Sequence, residues 1–146
     1  MNIDELYQTI ILDHYREKHN AGLREPYQAE VHHVNPSCGD ELTLRVQVDD
    51  GTLTDISYDA EGCSISQASV SVMTDLLIGK PVSHAMELHD QFLEVMHSQG
   101  NVTPDEDVFE DAIAFAGVSK FPARVKCALL GWSAMKDAAL QATTAP

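Results

Sequence analysis

Two runs of alternating apolar and polar residues, joined by a glycine-containing turn, constrain the fold of this chain most strongly. The apolar positions of the first run are Leu42, Leu44, Val46 and Val48, and those of the second are Ile56, Tyr58 and Ala60. A period of two residues is typical of a strand with one buried face. The intervening Asp49-Asp50-Gly51 has the composition of a tight hairpin turn. The sequence therefore predicts an antiparallel hairpin with one face in the core and one in water.

The sequence on either side of this hairpin completes a mixed fold. Residues 28–35 predict a further strand, and residues 3–17 predict an amphipathic helix because apolar side chains recur there at steps of three and four. Helices are also predicted from Cys63 to Gly79, over 84–97, from Thr103 to Gly117 and from Pro122 to about Gln141. In the third of these, Thr103 is the expected cap and Pro104 the first helical residue. This order predicts an α+β fold in which a three-stranded antiparallel sheet packs against about five helices.

The length and ends of the chain indicate a simple organisation. A chain of 146 residues suits one domain, so we expect a single domain over residues 1–146. The last residues are small and polar, which predicts a frayed tail at about 142–146. The acidic N-terminal segment has neither a basic region nor an apolar region, so we expect no signal peptide.

The charge of the chain limits its partners. Nine basic residues stand against 23 acidic ones, which gives a net charge of −14. Such a surface repels phosphate backbones, so a nucleic-acid partner is not expected. No apolar run approaches the roughly 20 residues of a membrane span, so a membrane partner is not expected either. Together with the missing signal peptide, these features predict a cytoplasmic protein.

Three cysteines, Cys38, Cys63 and Cys127, are the residues best suited to chemistry. Their odd number, without an export signal, argues against structural disulfides and for a reducing compartment. Cys38 lies in a glycine-flanked loop between two predicted strands, and the other two cysteines lie near the starts of predicted helices. Structural cysteines are more often found on the apolar face in the middle of an element. Their positions therefore favour a functional role.

Three thiols and a carboxylate are a suitable ligand set for Zn²⁺, which prefers four tetrahedral ligands with thiolates among them. Asp40 follows Cys38 by two residues, and Gly39 permits the bend that lets both side chains face one ion. Arg124 lies one helical turn before Cys127, where its charge would offset that of the thiolates. The spacing alone leaves a second interpretation open, in which the thiols are separate core residues.

The histidines and the acidic segment have simpler interpretations. His14 lies on the apolar face of the first predicted helix, which is more typical of a packed core histidine than of a metal ligand. The acidic run over 105–111 is interpreted as the solvated start of a helix, where the helix dipole favours negative charge.

Four segments of the chain resemble a known family. They are Ile11-Leu12-Asp13-His14-Tyr15, Asn35-Pro36-Ser37-Cys38-Gly39-Asp40, Gly62-Cys63-Ser64-Ile65-Ser66 and Arg124-Val125-Lys126-Cys127-Ala128. In these segments and their order, the chain resembles the SufU and IscU (NifU N-terminal-like) family of iron–sulfur cluster assembly proteins. The resemblance covers essentially the whole chain. It implies zinc ligation by Cys38, Asp40, Cys63 and Cys127, with Cys38 as sulfur acceptor and Arg124 as a site residue.

Two features favour the SufU branch of this family. IscU-type scaffolds have a histidine directly before the third cysteine, where this chain has Lys126, and the segment over 79–118 is long, as in SufU. The resemblance then implies a zinc-dependent sulfurtransferase. It would accept persulfide sulfur from a SufS-type cysteine desulfurase and act with downstream Suf scaffold proteins. The alternatives are an IscU-type scaffold that holds a transient iron–sulfur cluster, and a structural zinc domain that serves as an adaptor.

Overall fold

The computed structural model of the chain describes residues 3–37 and 39–144, and the side chain of residue 144 is not described. The described helices are α1 (Ile3–Glu17), α2 (Ser64–Leu77), α3 (Val82–His97), α4 (Glu106–Phe109), a 3₁₀ helix (Glu110–Lys120) and α5 (Pro122–Thr144). The described strands are β1 (Ala29–Asn35), β2 (Asp40–Asp49) and β3 (Thr52–Glu61). The three strands form one antiparallel sheet in the order β1-β2-β3. This confirms the predicted α+β fold.

The hairpin between β2 and β3 forms where the alternating pattern places it. Asp50 and Gly51 have φ of 51° and 78°, which are the left-handed values that a two-residue hairpin turn requires. From Asp40 to Val48, every second residue of β2 is buried. The sheet therefore turns one face into the core, as the sequence predicts.

The helices cover that face. Helix α5 packs across β1 and β2 and also against α2, which follows the sheet directly in sequence. Trp132 of α5 stacks on Phe92 of α3 with ring centroids 4.4 Å apart, and both side chains are fully buried. At the rim, His33 of β1 lies 2.9 Å from the carboxylate of Asp137 on α5. These contacts fix α5, and with it Cys127, against the sheet.

The helix predicted from Thr103 to Gly117 is wrong in its start and its type. Asp105 is the cap, since its carboxylate accepts the N–H of Asp107 at 2.9 Å, so Thr103 and Pro104 precede the helix. Glu110 has φ of 49° and ψ of −129°, which ends the α-helix after one turn. The 3₁₀ helix that follows buries Ala112, Phe115 and Val118 at steps of three, and Ile113, Ala114 and Ser119 are buried as well. A 3₁₀ helix has three residues per turn, so the three residues spaced by three lie on one face.

Helix α5 continues to Thr144, so it includes residues 142–144 of the segment expected to fray. Residues 145 and 146 lie outside the described residues. None of the described helices is long and apolar enough to cross a membrane.

Gly131→Ala is expected to destabilise the protein, because Gly131 allows α5 to approach α2 closely. A Cβ at this position would lie 2.8 Å from the Cβ of Val70. We expect a loss of about 1–2 kcal/mol in the free energy of unfolding, measured by urea denaturation, since overpacking outweighs the gain in helix propensity. Gly117→Ala is the control, because no heavy atom lies within 4 Å of its added Cβ. Equal stability of the two variants would contradict this account of the contact.

Candidate metal centre

Three of the four predicted ligands meet at one end of the sheet. Asp40 is the first residue of β2, Cys63 lies between β3 and α2, and Cys127 lies in the second turn of α5. One ligand atom from each of these residues lies within 4.8 Å of the other two. Cys38, the fourth predicted ligand, lies outside the described residues.

Cys63 is the N-cap of α2. Its Sγ accepts the backbone N–H of Ser66 at 3.5 Å, and its carbonyl accepts the Ser66 hydroxyl at 3.0 Å. A sulfur at this position faces the free backbone N–H groups of the first helical turn. The sequence thus supplies a partly exposed cysteine whose sulfur is held at the start of a helix by the backbone.

The carboxylate of Asp40 is aimed at Cys63. Asp40 is 0% exposed, and its Oδ1 accepts the backbone N–H of Cys63 at 2.8 Å. Its Oδ2 lies 3.5 Å from the Sγ of Cys63. A sulfur and an oxygen bound to the same tetrahedral zinc ion are separated by about 3.6 Å, given the usual bond lengths. The donor types and this distance therefore fit a zinc ion.

Cys127 is buried and is positioned by the contact between α2 and α5. The hydroxyl of Ser69 on α2 donates to the carbonyl of Ala128 at 2.7 Å, directly beside Cys127. The Sγ of Cys127 is 3.9 Å from the carbonyl of Ala123, one turn earlier. The two cysteines are thus placed on two helices that are fixed to one another.

Arg124 lies on the exposed surface beside this centre. Its guanidinium is 5.3 Å from the ring centroid of Phe121, and it forms no ion pair within the described part of the chain. It lines a cleft of about 520 Å³ between α1, the 3₁₀ helix and the start of α5, and Ile65 lines the same cleft. Because Ile65 follows Cys63 by two residues, the cleft lies next to the metal centre. Arg124 is therefore available to a bound partner.

Gly62 is a site residue that the sequence interpretation missed. It has φ of 147°, and a Cβ at this position would lie 2.1 Å from the Oδ1 of Asp40. Only glycine lets Asp40 occupy the space beside Cys63. The signal in the sequence is a glycine directly before a cysteine that begins a helix.

Gly62→Ala is expected to lower metal affinity by at least about tenfold, because the added methyl group displaces the carboxylate of Asp40. The measurement is competition for zinc against a chromophoric chelator. Gly22→Ala is the matched control, since Gly22 also has a positive φ, of 100°, but has no heavy atom within 4 Å of the added Cβ. If both variants bind zinc equally well, the carboxylate does not contribute to the metal centre.

The fold and these side chains define an α+β protein with a cysteine–carboxylate centre between its sheet and two helices. The model of the family described as the NifU-like N terminal domain matches residues 6–128. The chain belongs to this family, which confirms the membership that its motifs predict.

Relatives of the chain have two different names. It is 40% identical over 136 residues to the zinc-dependent sulfurtransferase SufU of Bacillus subtilis, covering 92% of this chain and 90% of that protein. It is also 40% identical over 136 residues to the iron–sulfur cluster assembly scaffold protein IscU of Streptococcus pyogenes, covering 93% of this chain and 84% of that protein. A crystal structure from Fervidobacterium islandicum, of a protein described as a cluster assembly scaffold for the SUF system, superposes with a TM-score of 0.83 at 33% identity. That match covers 94% of this chain and 99% of the other.

Proposed function

We propose that this protein is a cytoplasmic, zinc-dependent sulfurtransferase that accepts persulfide sulfur from a SufS-type cysteine desulfurase for iron–sulfur cluster assembly. The observation that carries the proposal is the convergence of Asp40, Cys63 and Cys127 within 4.8 Å. The name of the Bacillus relative supports both the activity and the metal. Downstream Suf scaffold proteins would then receive the sulfur.

The proposed ligand set is Cys38, Asp40, Cys63 and Cys127. Cys38 precedes Asp40 by two residues, so covalent geometry keeps their Cα atoms within about 7 Å of each other. Zinc bound by this set would hold the thiols as thiolates at neutral pH and protect them from oxidation. The exposed guanidinium of Arg124 would offset part of the negative charge of the set.

Cys38 is the proposed sulfur acceptor. Its thiolate attacks the outer sulfur of the persulfide on the desulfurase, which forms a new S–S bond to Cys38. The bond between that sulfur and the desulfurase cysteine breaks, and this cysteine leaves as a thiolate, so no external oxidant is consumed. Cys63 is fixed as the cap of α2, and Cys127 is only 5% exposed on α5. These two thiols are therefore poorly placed to meet the persulfide of a partner.

An iron–sulfur scaffold is the second candidate, because the equally similar Streptococcus relative has that name. Three thiolates and a carboxylate can also bind a cluster. Lys126, in place of the histidine of IscU-type scaffolds, favours the transferase, and its side chain is exposed beside the centre.

Metal and acid-labile sulfide analysis after anaerobic purification separates the two candidates. The transferase is expected to contain one zinc ion per chain and no sulfide. Iron and sulfide in equal amounts, with no zinc, would instead establish the scaffold.

A further inference from the structure

A second group of metal-binding side chains lies at the opposite end of α2 from Cys63. His14 on α1, His19 in the loop after α1, and Asp75 in the last turn of α2 each place one ligand atom within 4.8 Å of the others. Asp75 follows Cys63 by twelve residues, or about 18 Å along a helix. The group is therefore separate from the metal centre described above.

Both ring nitrogens of His14 lie within hydrogen-bonding distance of polar side chains. It is 4% exposed, with Nδ1 2.8 Å from the hydroxyl of Ser71 and Nε2 3.0 Å from the carboxylate of Asp111. The Ser71 oxygen also accepts the backbone N–H of His19 at 2.9 Å. The sequence predicts His14 as a packed core residue. It is indeed buried, but within a hydrogen-bonded network of ionisable groups.

His19 lies between two further carboxylates. Its Nδ1 contacts Asp75, and its Nε2 lies 3.1 Å from Glu17. Together with Asp111, the group holds three carboxylates around two imidazoles. Over residues 3–37 and 39–144, no lysine or arginine forms an ion pair with any of these three. The group therefore has an excess of negative charge that a divalent cation would neutralise.

The hydroxyl of Tyr58 also faces this group. Tyr58 is 2% exposed, and its hydroxyl faces Ser71 and Asp75. Burial raises the pKa of Tyr58 to about 12, so the hydroxyl stays protonated at neutral pH. Buried hydroxyls normally have a protein or water partner.

Solvent reaches the carboxylate side of the group. Asp75 and Asp111 line a cleft of about 170 Å³, and Glu110 adds a further carboxylate to its wall. A hydrated cation can therefore approach without opening the core.

We propose that His14, His19 and Asp75 form a second metal site, which binds a divalent first-row transition ion through nitrogen and oxygen ligands. Two imidazoles with one carboxylate suit ions such as Fe²⁺ or Zn²⁺ and leave positions for water. On binding, the ion replaces the proton between His19 and Asp75, and this proton passes to solvent. One ring nitrogen of His14 gives up its present hydrogen bond and binds the ion, while the other keeps its partner. Glu17 then orients His19 from its other nitrogen, as carboxylates do for metal-bound histidines. The ion would join α1 and its following loop to the end of α2.

The test is a Co²⁺ titration of the full-length protein after loading with one equivalent of Zn²⁺. Zinc binds such ligands more tightly than cobalt, so it keeps the cysteine centre occupied. We expect one equivalent of Co²⁺ to bind, with visible d–d bands and without the near-ultraviolet charge-transfer band of a thiolate ligand. His19→Ala and Asp75→Asn are expected to weaken this binding by at least about tenfold. Both residues are partly exposed, so these variants avoid the buried His14.

His84→Ala is the matched control, because His84 is an exposed histidine 3.9 Å from a carboxylate, that of Glu87, on α3. It is expected to bind Co²⁺ as the wild type does. The proposal is overturned if no Co²⁺ binds to the zinc-loaded protein, if a thiolate band appears instead, or if His84→Ala weakens binding as much as His19→Ala. A thiolate band would place the Co²⁺ at the cysteine centre and not at the group around His14.

Discussion

Cys38→Ala is expected to reduce alanine formation by a SufS-type desulfurase, assayed with cysteine and this protein, to the rate of the desulfurase alone. The variant has no thiol that can take over the outer sulfur of the persulfide. The sulfur of Cys63 is held as the cap of α2 and that of Cys127 is buried in α5, so neither can shift towards a partner without movement of a helix. The measurement is the steady-state rate of alanine release with and without the added protein.

The control for this variant is Ser37→Ala, which alters the neighbouring residue and leaves all three thiols in place. It is expected to stimulate the desulfurase as the wild type does, and circular dichroism should show both variants folded. Continued stimulation by Cys38→Ala would mean that another thiol accepts the sulfur.

Cys63→Ala and Cys127→Ala are expected to lose zinc and to melt at lower temperature. Each removes a ligand that joins a helix to the start of β2, and metal binding to such a site contributes directly to folding. We expect a loss of about 3 kcal/mol or more in the free energy of unfolding, which is roughly 6–12 °C in Tm for a chain of this size. Zinc content and thermal melting measure the two effects.

Chelation separates the loss of metal from the loss of the side chain. A strong chelator should lower the Tm of the wild type to near that of the variants and leave the Tm of the variants unchanged. A variant that keeps full zinc occupancy and the wild-type Tm would remove that cysteine from the proposed ligand set.

The local elements of this fold could be predicted because their signals lie within short segments. The alternation in β2 and β3, with Asp50-Gly51 between them, is sufficient for the hairpin. The sequence predicts an α-helix where the 3₁₀ helix forms. Phe109, Ala112 and Phe115 recur every three residues, but steps of three also occur in the α-helical pattern of three and four, so this spacing does not distinguish the two helix types.

The two sites differ in how far the sequence reveals them. The proximity of Asp40, Cys63 and Cys127 could be predicted from their residue types and the family motifs, although they come from distant positions in the chain. The group around His14 could not be predicted from the sequence, because Ser71 and Asp111, which contact His14, lie 57 and 97 residues away along the chain. Nothing in the local pattern distinguishes His14 from an ordinary core residue. Only the packing of α1 against α2 and the 3₁₀ helix brings these groups together.

The most direct test of the proposed function is mass spectrometry of the protein after anaerobic incubation with a desulfurase and cysteine. The proposed function predicts one added sulfur atom on the peptide that contains Cys38, removed by a reductant and absent when cysteine is omitted. Added sulfur on the peptide that contains Cys63 or Cys127, or no added sulfur while the desulfurase turns over, would contradict it.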